Sequence, residues 1–203
     1  TSFEDWIRIY DDELTLLKSH PERWERFLGI HYDEPIWRGQ SNRDFITTTK
    51  HFREKWGLRN FPVFATGEFT SVESNLDLDA EKMQKVLPEG LKYVTDLAYD
   101  AYGLDVREGA DYSEHIAKWQ EVCNEKCVDA RSYYTERLKM LCNMCDHPVN
   151  VWFFPTAYPA PVAQKSVGGI TRADEDYCDA HNKFFAEALK EFDHPAGIVL
   201  YTY

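Results

Sequence analysis

Apolar residues recur at helical spacing in several stretches of the chain. Residues 3–17 carry aromatic and aliphatic side chains at steps of three and four, which predicts an amphipathic helix. The same periodicity predicts helical structure in 113–145 and in 176–192. A short helix is predicted at 24–28, and a further one over 79–102, broken near its proline and glycine.

Four other stretches are short, apolar and rich in β-branched or aromatic residues, as strands are. They are residues 35–38, 61–71 (a strand or a hairpin), 150–158 and 197–203. No repeat, low-complexity tract or interdomain linker is visible, so residues 1–203 are expected to form a single domain. Few strands and long helices predict an α+β fold in which a small sheet packs against several helices; an α/β arrangement is the alternative.

Composition narrows the classes of partner. The chain has 203 residues, 43% of them hydrophobic, and a net charge of −12, so a folded acidic protein is expected, with no binding to nucleic acid or to anionic membranes. The longest apolar run is too short to span a bilayer. Five cysteines are an odd number and do not indicate a disulfide framework, which favours a reducing, cytoplasmic location.

Two segments combine flexible glycines with groups that bind polar ligands. In the first, Arg38-Gly39-Gln40 follows an apolar strand end, where an arginine can clamp a phosphate or a carboxylate. In the second, a glycine pair at 168–169 leads to Thr171, Arg172 and Asp174, with Glu175 and Tyr177 close behind. A surface turn and a helix cap explain the same residues without any ligand.

The two segments together resemble the FRG domain family, which is named for an aromatic-Arg-Gly motif after an initial helix. TSFEDW, WRGQSNRDF and HFRE are similar to the start of these domains, and AQ…GGITRAD is similar to a later Gln-His-x-Gly-x-x-Thr-Arg segment. Trp37 replaces the family's Phe, Lys165 or Ser166 replaces its His, and the stretch 61–158 has no counterpart in the family pattern.

This resemblance implies a mostly antiparallel, ADP-ribosyltransferase-like fold that binds NAD or a related nucleotide, with a protein as one acceptor. By this analogy Arg38, Gly39 and Gln40 hold the NAD, together with Thr171, Arg172 and Tyr177. The catalytic group comprises Arg38 with Asp174 or Glu175. Glu68 and Glu73 are rival carboxylates, and the choice among the four stays open.

The cysteines raise the question of a metal. Cys142 and Cys145, with Cys178 and His181, have the CxxC…CxxH spacing of a structural zinc site. All four fall in predicted helices, where free cysteine is an ordinary small hydrophobic residue, so no metal site is expected.

Two further hypotheses belong to other functional classes. The order helix, strand, helix, strand in the second half is typical of α/β-barrel glycosidases, in which Glu68 and Asp174 would be the acid and the base or nucleophile. The chain could instead be an acidic module that binds a basic protein surface without catalysis.

Overall fold

The fold is known from a computed structural model that describes residues 3–33, 41–65, 89–101, 129–155 and 175–199. The helices are α1 (Phe3–Lys18), α2 (Pro21–Trp24), α3 (Asn42–Trp56), α4 (Ala130–Met144) and α5 (Glu175–Leu189). The strands are β1 (Gly29–Asp33), β2 (Arg59–Ala65), β3 (Asp96–Ala101), β4 (Asn150–Pro155) and β5 (Pro195–Ile198).

The five strands form one sheet in the order β1-β2-β3-β4-β5, and every neighbouring pair is parallel. The predicted fold class, an α+β domain with a mostly antiparallel, ADP-ribosyltransferase-like sheet, is therefore wrong, and the fold is α/β. The physical reason is the connections: α3, α4 and α5 each lie between two neighbouring strands, and such a crossover returns the chain in the same direction.

Several element predictions are confirmed in the described residues. Helix α1, the end of the long helix at 113–145, helix α5 and strand β4 lie where the pattern places them. The strand at 61–71 is confirmed as far as Ala65, but it is not half of a hairpin, because both of its neighbours are parallel to it.

Other element predictions fail. The helix at 24–28 is wrong beyond Trp24, where α2 ends. The helix over 79–102 is wrong at 96–101, which forms β3. The sequence predicts neither β1 nor α3, and the strand at 35–38 lies outside the described residues.

Helix α3 shows why a helix can escape a pattern search. It contains three consecutive threonines and many charged residues, so its apolar stripe is thin. Its ends are nevertheless well capped: the Ser41 hydroxyl accepts a hydrogen bond from the Asp44 amide (3.1 Å), and Gly57 adopts a left-handed conformation (φ 66°) after the last turn.

The long helices of the described residues, α1, α3, α4 and α5, pack on one face of the sheet. Tyr134 and Leu138 of α4 and Phe185 of α5 join Tyr99 and Phe153 of the central strands in one buried cluster. A second cluster joins α1 and α3 to β1 through Leu14, Phe52, Ile30 and Tyr32. Strands that follow one another in one direction, with right-handed crossovers, place their helices on a common face in this way.

The opposite face of the sheet is concave. We call it the concave face and define it by His31, Phe61, Val63, Ala98, Trp152 and Phe154. The rings of His31 in β1 and Phe154 in β4 are stacked, with centroids 6.0 Å apart and planes within 2°. Three strand spacings separate β1 from β4, roughly 14 Å in a flat sheet. The sheet therefore curls with this face inside, as it does in α/β barrels.

Helix α1 is fastened to α3 by Asp11. Its carboxylate accepts hydrogen bonds from Lys55 Nζ (2.6 Å) and Trp56 Nε1 (2.6 Å) and lies 2.8 Å from His51 Nε2. Burial alone would raise the pKa of Asp11, but these partners outweigh it and lower the pKa to about 2.

In the described ranges, no helix combines the length and the apolar character that a membrane crossing demands.

The start of β1 requires glycine, and this makes a testable prediction. A Cβ at Gly29 would lie 2.7 Å from the Arg59 Cβ and closer still to its carbonyl oxygen, in the paired strand β2. Gly29→Ala is expected to lower the free energy of unfolding by about 3 kcal/mol, measured by urea denaturation.

The matched control for this substitution is Gly57→Ala. Gly57 also has a positive φ (66°), but a Cβ there meets nothing within 4 Å, so only the left-handed backbone costs energy, about 1 kcal/mol. Equal losses at the two positions would contradict a steric role for Gly29.

Candidate functional site at the carboxyl edge of the sheet

Most residues of the predicted NAD site lie outside the described residues. These are Arg38, Gly39, Gln40, Thr171, Arg172 and Asp174, together with the rival carboxylates Glu68 and Glu73. Glu175 and Tyr177 lie in the first turns of α5, for which the backbone is described. The roles assigned to all these residues stay predictions.

In the sequence, these segments follow strands that the structure describes. β1, β2 and β4 end at the same edge because they are parallel. In sequence, Arg38 follows the end of β1, Glu68 follows the end of β2, and Thr171 to Asp174 lie between β4 and α5. In parallel α/β proteins, ligands bind at this carboxyl edge.

Two acidic residues occupy the ends of strands that the sequence analysis missed. Asp33 is the last residue of β1, and Asp100 lies one residue before the end of β3. Asp33 is the register partner of Val63, and Val63 is the partner of Ala98, two residues before Asp100. Residues two apart along a strand share a face, so both positions fall on the concave side. An acidic residue directly after a short apolar run, as in GIHYDE and LAYDA, was the available signal.

The centre of the concave face is aromatic. Phe61 lies 6.2 Å from His31, 5.3 Å from Trp152 and 5.9 Å from Phe154, measured between ring centroids. Val63, Ala98 and Phe154 are buried, whereas His31 is exposed to solvent. The side chains from β2 to β4 on this face are therefore tightly packed, and we call them the floor of the face. At β1 the face is open to solvent. Aromatic floors of this kind bind the apolar faces of sugars and other rings.

The amino edge of the same face is closed by a polar network around Asp96. This carboxylate is fully buried and accepts hydrogen bonds from Arg59 Nε (2.9 Å), Trp152 Nε1 (2.9 Å), Thr95 Oγ1 (2.7 Å) and Asn150 Nδ2 (3.1 Å). The Arg59 Nη2 atom also donates to Asp96.

These partners determine both the charge and the role of Asp96. Burial would raise the pKa of its carboxyl, but the hydrogen bonds and the charge of Arg59 outweigh burial and hold the pKa below 3.8. A buried carboxylate at the amino edge whose oxygens accept hydrogen bonds from four partners within the protein stabilises the fold.

The structure separates the described residues that have the CxxC…CxxH spacing, for which no metal site was expected. Cys142 and Cys145 lie at the end of α4, and Lys139 of α4 donates to Glu191 beyond the end of α5 (2.7 Å). His181 precedes Glu191 by ten residues in the sequence, roughly 15 Å along a helix, and it is buried beside Phe185. The side chain of Cys178 is not among those described. In the described part of the chain, no three His, Cys, Asp or Glu side chains form a group that could hold a metal.

Comparison of the chain with protein-family models, with curated proteins and with solved structures gave no match. The similarity to FRG domains therefore rests on the quoted motifs alone.

Proposed function

We propose that this chain is a carbohydrate-active enzyme of the glycoside hydrolase type, with its site at the carboxyl edge of the concave face. The observation that carries the proposal is the curl of an all-parallel, consecutively ordered sheet, seen in the His31–Phe154 stack. In α/β barrels of this strand order, the active site lies at the carboxyl ends of the strands.

Acidic positions at this edge support the choice of reaction. Glycoside hydrolysis uses two carboxylates about 5–9.5 Å apart, one of them a proton donor. Asp33 and Asp100 lie near the ends of strands that are two positions apart in the sheet, offset by two residues along the strands. Their Cα atoms would be roughly 12 Å apart in a flat sheet, and the curl shortens this distance on the concave side. Glu68 follows the strand between them in the sequence and is the third candidate.

The aromatic floor supports the choice of substrate. Sugar rings present C–H groups to aromatic faces and hydroxyls to carboxylates, so the half-buried ring of Phe61, beside Trp152 and Phe154 and below an acidic rim, suits them. The NAD hypothesis assumed the antiparallel layout of ADP-ribosyltransferases, which this sheet does not have. The only remaining support for the NAD hypothesis is the sequence motifs at Arg38 and Thr171–Arg172.

One assay series tests both hypotheses. The purified protein is incubated with a panel of polysaccharides and aryl glycosides, and release of reducing ends or of the aryl alcohol is measured. We expect turnover of at least one glycoside and no saturable heat on calorimetric titration with NAD. Saturable NAD binding that Arg38→Ala abolishes, without glycoside turnover, would overturn the proposal in favour of the nucleotide hypothesis.

A further inference from the structure

The end of α4 brings two cysteines into one tight turn. Cys142 lies in the last turn of the helix, and Cys145 follows the final residue with an extended backbone (φ −79°, ψ 138°). The Cys145 amide donates to the Cys142 carbonyl oxygen (3.1 Å). A four-residue turn closed in this way keeps its terminal Cα atoms within about 7 Å, and disulfides span Cα separations of about 4.4–6.8 Å.

The two side chains also share an environment. Both are half-buried and pack against the same hydrophobic cluster between the helices and the sheet. The Cys145 Sγ reaches back to the Leu141 carbonyl oxygen (3.5 Å), over the turn that carries Cys142. Since the closed turn already keeps the two Cα atoms within the range that disulfides span, forming an S–S bond asks for rotation of the side chains.

The surroundings favour a stable disulfide over a reactive thiolate. Burial raises the pKa of the Cys142 thiol to about 11, with a contribution from the charge of Asp193. Burial likewise raises the pKa of Cys145 to about 12, with contributions from Cys142 and Asp146. Strongly oxidising dithiols are those whose reduced form is stabilised as a thiolate. This pair has no such stabilisation, so its disulfide should not be a strong oxidant, and an excess of reduced glutathione is needed to open it.

One cysteine of the pair, Cys142, is reached from a surface cleft. Cys142 lines a cleft of about 260 Å³ between the ends of α4 and α5, together with Asn143, His147 and His194. The cleft lies at the start of β4 and β5, which is the amino edge of the sheet. It is therefore remote from the carboxyl edge, where we place the glycoside site.

We propose that Cys142 and Cys145 form a reversible disulfide that fastens the end of α4 to the turn before β4. One thiol, as its thiolate, attacks glutathione disulfide and releases one glutathione. The second thiolate then attacks the mixed disulfide, forms the protein S–S bond and releases the second glutathione. The protein loses two electrons and two protons, and glutathione disulfide gains them.

The test uses the full chain in its native state at pH 8. The protein is equilibrated in glutathione buffers from fully reduced to fully oxidised, free thiols are alkylated, and the products are examined by peptide mass spectrometry. We expect two of the five cysteines to become protected as the buffer is oxidised, with a linked peptide joining Cys142 to Cys145, and reduction to restore both thiols.

Three variants control the experiment. Cys142→Ser and Cys145→Ala should each abolish the protected pair, whereas Cys178→Ser should keep it, and unfolding curves of each variant establish that it is folded. Alkylation of all five cysteines at every buffer ratio would overturn the proposal. So would a stable glutathione adduct on Cys142, or a linkage between other cysteines.

Discussion

Replacing Asp96 with alanine is expected to lower the free energy of unfolding by about 3 kcal/mol, because it removes the acceptor of a buried ion pair. Asp96 is fully buried, and its loss leaves the Trp152 indole N–H and the Arg59 guanidinium without their partner. Arg59 retains some access to water, since 38% of its side chain is exposed, which keeps the loss at the lower end of the range for buried pairs. Urea denaturation followed by tryptophan fluorescence measures the change.

Two further variants separate charge from hydrogen bonding at this position. Asp96→Asn keeps an oxygen that can accept from Trp152 and loses the negative charge, so its loss should be smaller than that of alanine. Asp12→Asn removes a carboxylate from the exposed side of α1 and should change stability by less than about 0.5 kcal/mol. An Asp96→Ala protein within about 1 kcal/mol of the parent would show that the network adds little to stability.

The pH dependence of stability follows from the same network. Folding lowers the pKa of Asp96 below 3.8, so its stabilising effect is fully present above the pKa of the unfolded carboxyl, about 3.9. The effect is lost as the pH falls through the lower pKa of the folded state. The stability difference between the parent protein and Asp96→Ala should therefore be constant near neutral pH and shrink in acid.

The second large effect concerns activity and rests on the proposed glycoside hydrolysis. Asp33→Asn and Asp100→Asn are each expected to lower kcat by about 1000-fold, because an amide can neither donate an acidic proton nor act as a base or nucleophile. KM should change far less, since the aromatic floor that would hold the sugar is untouched. The measurement is steady-state kinetics on the best glycoside of the panel.

The control for these variants is Asp179→Asn, which removes an exposed carboxylate paired with Lys183 on α5 and should leave kcat unchanged. Unfolding free energies must match the parent for each Asn variant, so that lost activity is not lost structure. Full activity in both Asp33→Asn and Asp100→Asn would exclude them as the catalytic pair. A large loss in Glu68→Gln alone would assign the chemistry to the segment after β2.

The two missed strands explain why the candidate site was also missed. Leu97, Ala98 and Tyr99 of β3 are all fully buried, because helices cover one face and the curled sheet covers the other. A strand buried on both faces has no polar–apolar alternation, and DLAYDA has no strong β-forming composition. Strand β1 is only five residues long. Its apolar pattern ends before Asp33, which is the acidic residue of the candidate site.

The sequence by itself determined the helices α1 and α5, the end of α4 and the strand β4, because their apolar spacing is a local property of neighbouring residues. It also supplied the acidic charge, the Arg38 motif and the CxxC pair. Only the tertiary structure decided the direction of the strands, their order and the curl that brings His31 to Phe154. Strand pairing joins residues far apart in the chain, such as Asp33 with Val63 and Val63 with Ala98. This pairing depends on how the crossover helices pack together on one face of the sheet. The spacing of apolar residues along the sequence does not encode that packing.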